Sequence, residues 1–183
     1  MGSEMKLGDP KGLVTRRSLL ALGGAALGLA ATPAGAFAPP MGPRANHIVV
    51  SKSKRVLELR QGQEILKRYA IDLGFSPTGH KVAEGDGRTP EGLYWIDRRN
   101  PRSEYFLSLG ITYPNAEDIA RARSLGVNPG GNIMIHGEPM RPRERAMNNG
   151  KKDWTAGCIA VKNAEIEEIW AMTPLGVPIT ILA

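Results

Sequence analysis

HIVVSKSKRVLELRQGQEILKRYAIDL, residues 47–73, is the stretch whose reading decides the fold. His47-Ile48-Val49-Val50 is a short apolar run ending in β-branched residues, which suits a strand. Val56 to Arg60 alternates apolar and polar residues, the period of a half-buried strand. Gln61-Gly62-Gln63 is turn-like, and Glu64 to Leu73 returns as a third strand. The three make a meander with Lys and Arg along its polar face. A chain that opens this way builds its core on a sheet.

Downstream the pattern continues. Gly74 to Gly92 holds five glycines, two prolines and His80, and reads as a long loop. Leu93-Tyr94-Trp95-Ile96 and Tyr105 to Leu109 read as strands. Asn115 is placed to cap a short helix through Leu125. Asn132 to Ile135 is a strand that ends at His136, and Gly137 to Lys152 is a polar loop carrying Arg141, Arg143, Arg145, Lys151 and Lys152. Asn163 is expected to cap a helix over Ala164 to Met172, with Ile166, Ile169 and Trp170 spaced to face a core. Val177 to Leu182 is the final strand. The fold class expected is therefore mainly β with short helices.

Upstream of His47 the chain reads as an address. Thr15-Arg16-Arg17-Ser18-Leu19-Leu20 precedes an apolar run rich in Gly and Ala, and Ala34-Gly35-Ala36 follows. A charged region, an apolar region and a small-residue cleavage site, in that order, make a secretory signal. The run from Leu19 to Ala31 is shorter than the roughly 20 helical residues that span a bilayer. Paired arginines before a mildly apolar run are the twin-arginine form of such a signal. We expect residues 1–36 to be a twin-arginine-type signal peptide, 37–46 a Pro-rich linker, and 47–183 the working domain. The protein would then be exported, to the periplasm or cell envelope, with no stable membrane insertion after cleavage.

Composition narrows the function. The 183 residues carry a formal net charge of +6, and removing residues 1–36 leaves 20 basic against 16 acidic groups. That excess is modest and dispersed. No basic run is interleaved with stacking aromatics, which argues against nucleic acid as a partner. There is one cysteine, Cys158, which can form neither an internal disulfide nor a thiolate metal cluster. A free thiol in an exported protein lacks the protection of a reducing compartment and points to chemistry.

A cysteine nucleophile needs a base, and the three histidines, His47, His80 and His136, all precede Cys158. Papain-type peptidases place the base after the nucleophile, so that order is excluded. Sortase-like enzymes need an arginine after the cysteine, and residues 159–183 contain none. His47 opens the first strand beside the linker. His136 ends an apolar strand, a rigid platform, and Gly137 after it permits close backbone approach. His80 lies in the glycine-rich loop, a place for a lid or a substrate contact. Gly157 before Cys158 makes a turn that can leave backbone N–H groups facing a developing oxyanion. Cys158 and His136 are therefore the candidate catalytic pair, with Gly137 and Gly157 beside them.

Ile133-Met134-Ile135-His136-Gly137 followed by Thr155-Ala156-Gly157-Cys158-Ile159 resembles the YkuD-type L,D-transpeptidase catalytic domain. Thr89-Pro90-Glu91-Gly92-Leu93-Tyr94 is similar to a further segment of that family. Thr155, Ala156 and Ala160 depart from the usual Ser, His or Arg, and Arg, and Asp153 to Val161 looks more like the YafK-related branch. The resemblance implies a β-sandwich catalytic domain and peptidoglycan stem peptides as partners, with a wall-linked protein as another acceptor. It implies that His136 takes the proton of Cys158, oriented by the Gly137 carbonyl. The thiolate then attacks the carbonyl of the diamino acid, and Gly157 and Cys158 N–H groups hold the oxyanion. A thioester forms and is resolved by an amine, giving L,D-transpeptidation. Water in place of the amine gives an L,D-carboxypeptidase or cross-link-cleaving amidase. The reading of another class is a non-catalytic wall-binding module. No metal or organic cofactor is called for. His80, Thr155, Arg141, Arg143 and Arg145 are the expected substrate-binding residues, the arginines because Arg binds a carboxylate bidentately.

Overall fold

The structure is a computed structural model and describes residues 42–183. The expected signal segment and residues 37–41 of the linker lie outside the described residues. Eight strands form one sheet in the order β3-β2-β1-β8-β4-β5-β6-β7. They are β1 (His47–Ser51), β2 (Val56–Gln61), β3 (Glu64–Ala70), β4 (Gly92–Ser103), β5 (Phe106–Ile111), β6 (Met134–His136), β7 (Ile159–Ala160) and β8 (Pro178–Leu182). The helices are α1 (Ala116–Ser124), α2 (Pro142–Asn148) and α3 (Asn163–Met172). The domain is mainly β with short helices, as its sequence indicates.

The opening meander forms as read. β1 and β2 pair antiparallel with Ile48 opposite Leu59 and Val50 opposite Leu57, and all four side chains are fully buried. Period-two alternation puts these on the core face while Glu58, Arg60 and Arg68 form ion pairs on the other. β4 is the bend of the sheet. Its first residues, Gly92 to Trp95, pair with β8, and from Ile96 onward it pairs with β5. The far ends then meet. Asp72 exchanges backbone hydrogen bonds with Ala160, and Leu73 and Phe75 bond to Thr155. The sheet thus folds back on itself around one core, and the chain just after β3 is stitched to the segment that carries Cys158.

The helices close the remaining gaps. Asn115 caps α1 through a capping box with Asp118. α3 buries Ile166 and Ile169 in the core. Arg99 of β4 donates to the Trp170 and Thr173 carbonyls at the end of α3, with its guanidinium 4.2 Å over the Trp170 ring. That satisfies carbonyls the helix leaves unpaired.

Besides the two-residue strand β7, which the sequence does not announce, three elements differ from the sequence reading. β4 runs through Asn100-Pro101-Arg102 to Ser103, because its hairpin with β5 supplies partners that local propensity does not show. The polar loop 137–152 contains α2, which starts with Pro142 in its first turn and buries no side chain. Asn163 is the first residue of α3 and not its cap. Its side-chain oxygen accepts the Glu138 N–H at 2.8 Å, while the Lys162 N–H is taken by Glu165.

Candidate active site

β6 and β7 are parallel neighbours, with Ile135 opposite Ile159 and His136 opposite Ala160. Cys158 immediately precedes β7, so the register brings it alongside β6. Its thiol donates to the Asn132 carbonyl at 3.6 Å, and the Met134 N–H points at the sulfur. Cys158 and His136 line one cleft of about 490 Å³, together with Arg102, Tyr105, Asn148 and Trp154.

His136 is buried and held on three sides. Its Nδ1 lies 2.7 Å from the Gly137 carbonyl oxygen, Tyr105 tilts across the ring at 4.5 Å, and Trp154 meets it edge-on at 5.7 Å. A carbonyl only accepts, so Nδ1 carries the hydrogen and Nε2 keeps its lone pair. Gly137 can fold so tightly because it has no Cβ, which would sit 3.0 Å from the Tyr105 carbonyl. The Gly137 N–H bonds the Tyr105 and Leu107 carbonyls.

Burial sets the protonation states. It disfavours the imidazolium and pulls His136 down from 6.5 to about 4, against the opposing effect of the Gly137 carbonyl. Burial also pushes the Cys158 thiol up, countered by the Met134 N–H and the charge of Lys81. Both shifts favour neutral forms. Burial thus favours a thiol and a neutral imidazole over a preformed ion pair.

The turn before Cys158 is locked from below. Thr155 Oγ1 donates to the Cys158 carbonyl at 2.7 Å and accepts the Gly157 N–H at 3.1 Å. Gly157 has φ +131°, and a Cβ there would lie 2.7 Å from the Arg88 carbonyl. Asp153 receives Arg55 through both carboxylate oxygens and also accepts the Leu73 N–H.

Several expected site residues fall elsewhere. Thr155 spends its hydroxyl proton and one lone pair on the turn, so it has no donor left for substrate. The Gly157 N–H is likewise committed, whereas no partner takes the Cys158 N–H among the described residues. His80 sits between the Glu91 backbone and Asp118, with Nε2 2.9 Å from Asp118 Oδ1, away from the catalytic cleft. Arg141 pairs with Glu104 and Glu144 on the surface. Arg143 is exposed, and Arg145 donates to the Pro139 carbonyl beside a second cleft. None of the three lines the cleft of Cys158. Arg102 does, and sequence reasoning missed it because it lies where the β4–β5 hairpin was not expected. Tyr105, Trp154 and the Arg55–Asp153 pair were also missed; only the position of Asp153-Trp154 just ahead of the Gly-Cys turn hinted at them. Among the described residues, no three His, Cys, Asp or Glu side chains cluster as a metal site.

A bent sheet with a cysteine turn and a buried histidine on adjacent parallel strands defines a class of domain, and the comparisons give it a family. The family model described as the L,D-transpeptidase catalytic domain, YkuD, matches residues 45–181. The chain belongs to that family. It is 30% identical over 130 residues to "Putative L,D-transpeptidase YafK" of Escherichia coli strain K12, covering 68% of this chain and 45% of that protein. The helical cell shape determining protein Pgp2 of Campylobacter jejuni superposes with a TM-score of 0.56 at 26% identity, covering 74% of this chain and 46% of that one. The Ldtfm–avibactam carbamoyl enzyme shares the fold, with a TM-score of 0.51 at 14% identity over 76% of this chain and 49% of that one. The chain thus spans about half the length of these relatives.

Proposed function

We propose that this protein is an exported peptidoglycan L,D-transpeptidase that works through a thioester on Cys158. The observation that carries this reading is the shared cleft of Cys158 and His136, with Nδ1 of the imidazole tied to the Gly137 carbonyl and Nε2 left as a base. Family membership supports the substrate class, a stem peptide of the cell wall, and the description of Pgp2 as a cell shape determinant fits an envelope location. No described helix is long and apolar enough to cross a membrane. Export through the twin-arginine signal of residues 1–36 is part of the proposal.

The chemistry follows from the neutral pair. Substrate enters with its carbonyl carbon beside the sulfur. The thiol proton moves to His136 Nε2 as the C–S bond forms, so charge develops only when substrate is there to receive it. The Cys158 N–H is the backbone donor left to face the oxyanion. The leaving amine takes the proton back from His136. An amine then resolves the thioester; water in its place makes the same site a carboxypeptidase or cross-link-cleaving amidase. Arg102, the one cation lining this cleft, is placed to hold a free carboxylate of the stem. A non-catalytic wall-binding role would leave the tautomer-fixed, buried His136 without a purpose.

The test is acylation followed by intact mass on a stem tetrapeptide. A mass increase on Cys158 is expected, lost in a folded Cys158→Ala variant, with turnover down about a thousandfold or more. Turnover by folded Cys158→Ala at the wild-type rate would overturn the reading. The acid limb of the acylation rate should fall nearer pH 4 than 6.5, because a base held at about 4 loses its lone pair only below that pH. A limb at 6.5 would mean that a solvated histidine serves as base. New peptide dimers mark transpeptidation, and shortened or released stems mark hydrolysis.

A further inference from the structure

On the other side of Trp154 lies a second cleft, of about 450 Å³, that the acylation step leaves unused. Its walls are the segment from Asn148 to Trp154, the residues after β3, and the chain from Ala160 to Lys162. Charge sets it apart. Arg145, Lys151, Lys152 and Lys162 line it, and among the described residues none of the four lies within ion-pair distance of a carboxylate. Its Arg55 is already bound to Asp153. Glu138 and Asp72 are the remaining acids on its walls. The catalytic cleft has a different balance: Arg102 is its one lining cation and Glu104 its one lining carboxylate.

Trp154 and Asn148 line both clefts, and the Trp154 ring also meets His136 edge-on. The two clefts are therefore neighbours that share Trp154 and Asn148 as a common wall. Unpaired ammonium groups around a recess attract carboxylates, and Glu138 offers a partner for an ammonium group in the same place. We propose that this basic cleft is the acceptor site, and that it holds a second, anionic peptide by its carboxylates while the peptide's amine reaches across Trp154. The proposal rests on the reading of Cys158 as acyl carrier. In the step it serves, the amine nitrogen attacks the thioester carbonyl and a C–N bond forms. The C–S bond breaks, and the amine proton passes through His136 to the departing sulfur, which regains its thiol.

The experiment uses the full chain and the neutralising double variant Lys152→Gln/Lys162→Gln. Acyl-enzyme is first formed with a stem tetrapeptide and followed by intact mass, then partitioned against rising concentrations of a stem tripeptide as acceptor. Acylation is expected to be unchanged. The acceptor concentration for half-maximal dimer formation should rise about tenfold, as two lost charge contacts imply. Raising salt from about 50 to about 500 mM should do the same to wild type. An acceptor with amidated carboxylates should bind both proteins equally weakly. Normal acylation with unchanged acceptor dependence in the double variant would overturn the acceptor site alone. Absence of any acyl-enzyme would instead sink the thioester reading. The cleft is then judged by titrating the tripeptide onto Cys158→Ala: salt-sensitive binding weakened by the two substitutions supports it, and equal binding rejects it.

Discussion

Residues 74–92 and 137–152 are both long polar connections between strands, and both border the site, yet they are built in opposite ways. The first is fastened from inside. Lys52, only 2% exposed, donates to the Gly79 and Thr89 carbonyls and to Glu91, and Lys81, 3% exposed, pairs with Asp86. Asp86 in turn accepts the Val82, Ala83 and Arg88 N–H groups, which together hold its carboxylate well down, at about 2. The second segment is anchored only at its start, where the Gly137 and Glu138 N–H groups bond Tyr105, Leu107 and Asn163; beyond that its ion pairs are the exposed ones of Arg141 with Glu104 and Glu144, and α2 buries nothing. A loop rich in glycine is thus the foundation of the cysteine turn, while the loop rich in arginine is a partition between two clefts. What separates them is whether buried charged side chains hold the loop from within, and not how polar the loop is.

The contrast can be broken first at Gly157, where the foundation touches the turn. Gly157→Ala places a Cβ 2.7 Å from the Arg88 carbonyl at φ +131°. Strain and overlap together should cost about 4 kcal/mol and lower activity about a hundredfold or more. Urea unfolding and acylation kinetics read both, and a variant as stable and active as wild type would show that the contact is slack. Lys52→Met comes next. It leaves Glu91 without its counter-charge and orphans two carbonyls, for an expected loss of about 3 kcal/mol in unfolding free energy. A loss below about 0.5 kcal/mol would mean that solvent replaces the ammonium, and that the loop is held otherwise. Arg143→Ala should do least, shifting stability by less than about 0.5 kcal/mol and leaving acylation within about twofold. A larger change in acylation would restore Arg143 to the substrate site.

The legibility of the sequence follows the same divide. The meander was readable because alternation over Val56 to Arg60 survives folding unchanged, and the cap of α1 was readable because Asn115 and Asp118 are neighbours in the chain. His136 and Cys158 stood out by residue type, order and their adjacent glycines. The rest depends on partners distant in sequence. Asn163 has the chemistry of a cap, but Glu138 claims its oxygen. His80 has the chemistry of a substrate contact, but Asp118 lies 2.9 Å away. Thr155 sits beside the nucleophile and serves the turn. Lys52 looks like an ordinary surface residue in a Ser-Lys-Ser-Lys run, and only the assembled loop reveals it as a rivet.

The parallel pairing of β1 with β8 dictates an order of events as the chain is made. β1 joins β2 and β3 early, but its other edge stays open, with Val49 and Ser51 waiting for Thr180 and Leu182. β4 waits for the same strand, since Gly92 to Trp95 pair with β8 on its opposite side. The strands that carry the site, β5, β6 and β7, follow β4 in the sheet, and β7 is tied back to the chain after β3 at Asp72. Folding is therefore governed by its most distant contacts, which makes closure slow and leaves sticky strand edges bare on the unfinished chain. The residues that line both clefts lie between Arg55 and Lys162, yet the sheet that holds them in register is continuous only once Pro178–Leu182 sits between β1 and β4.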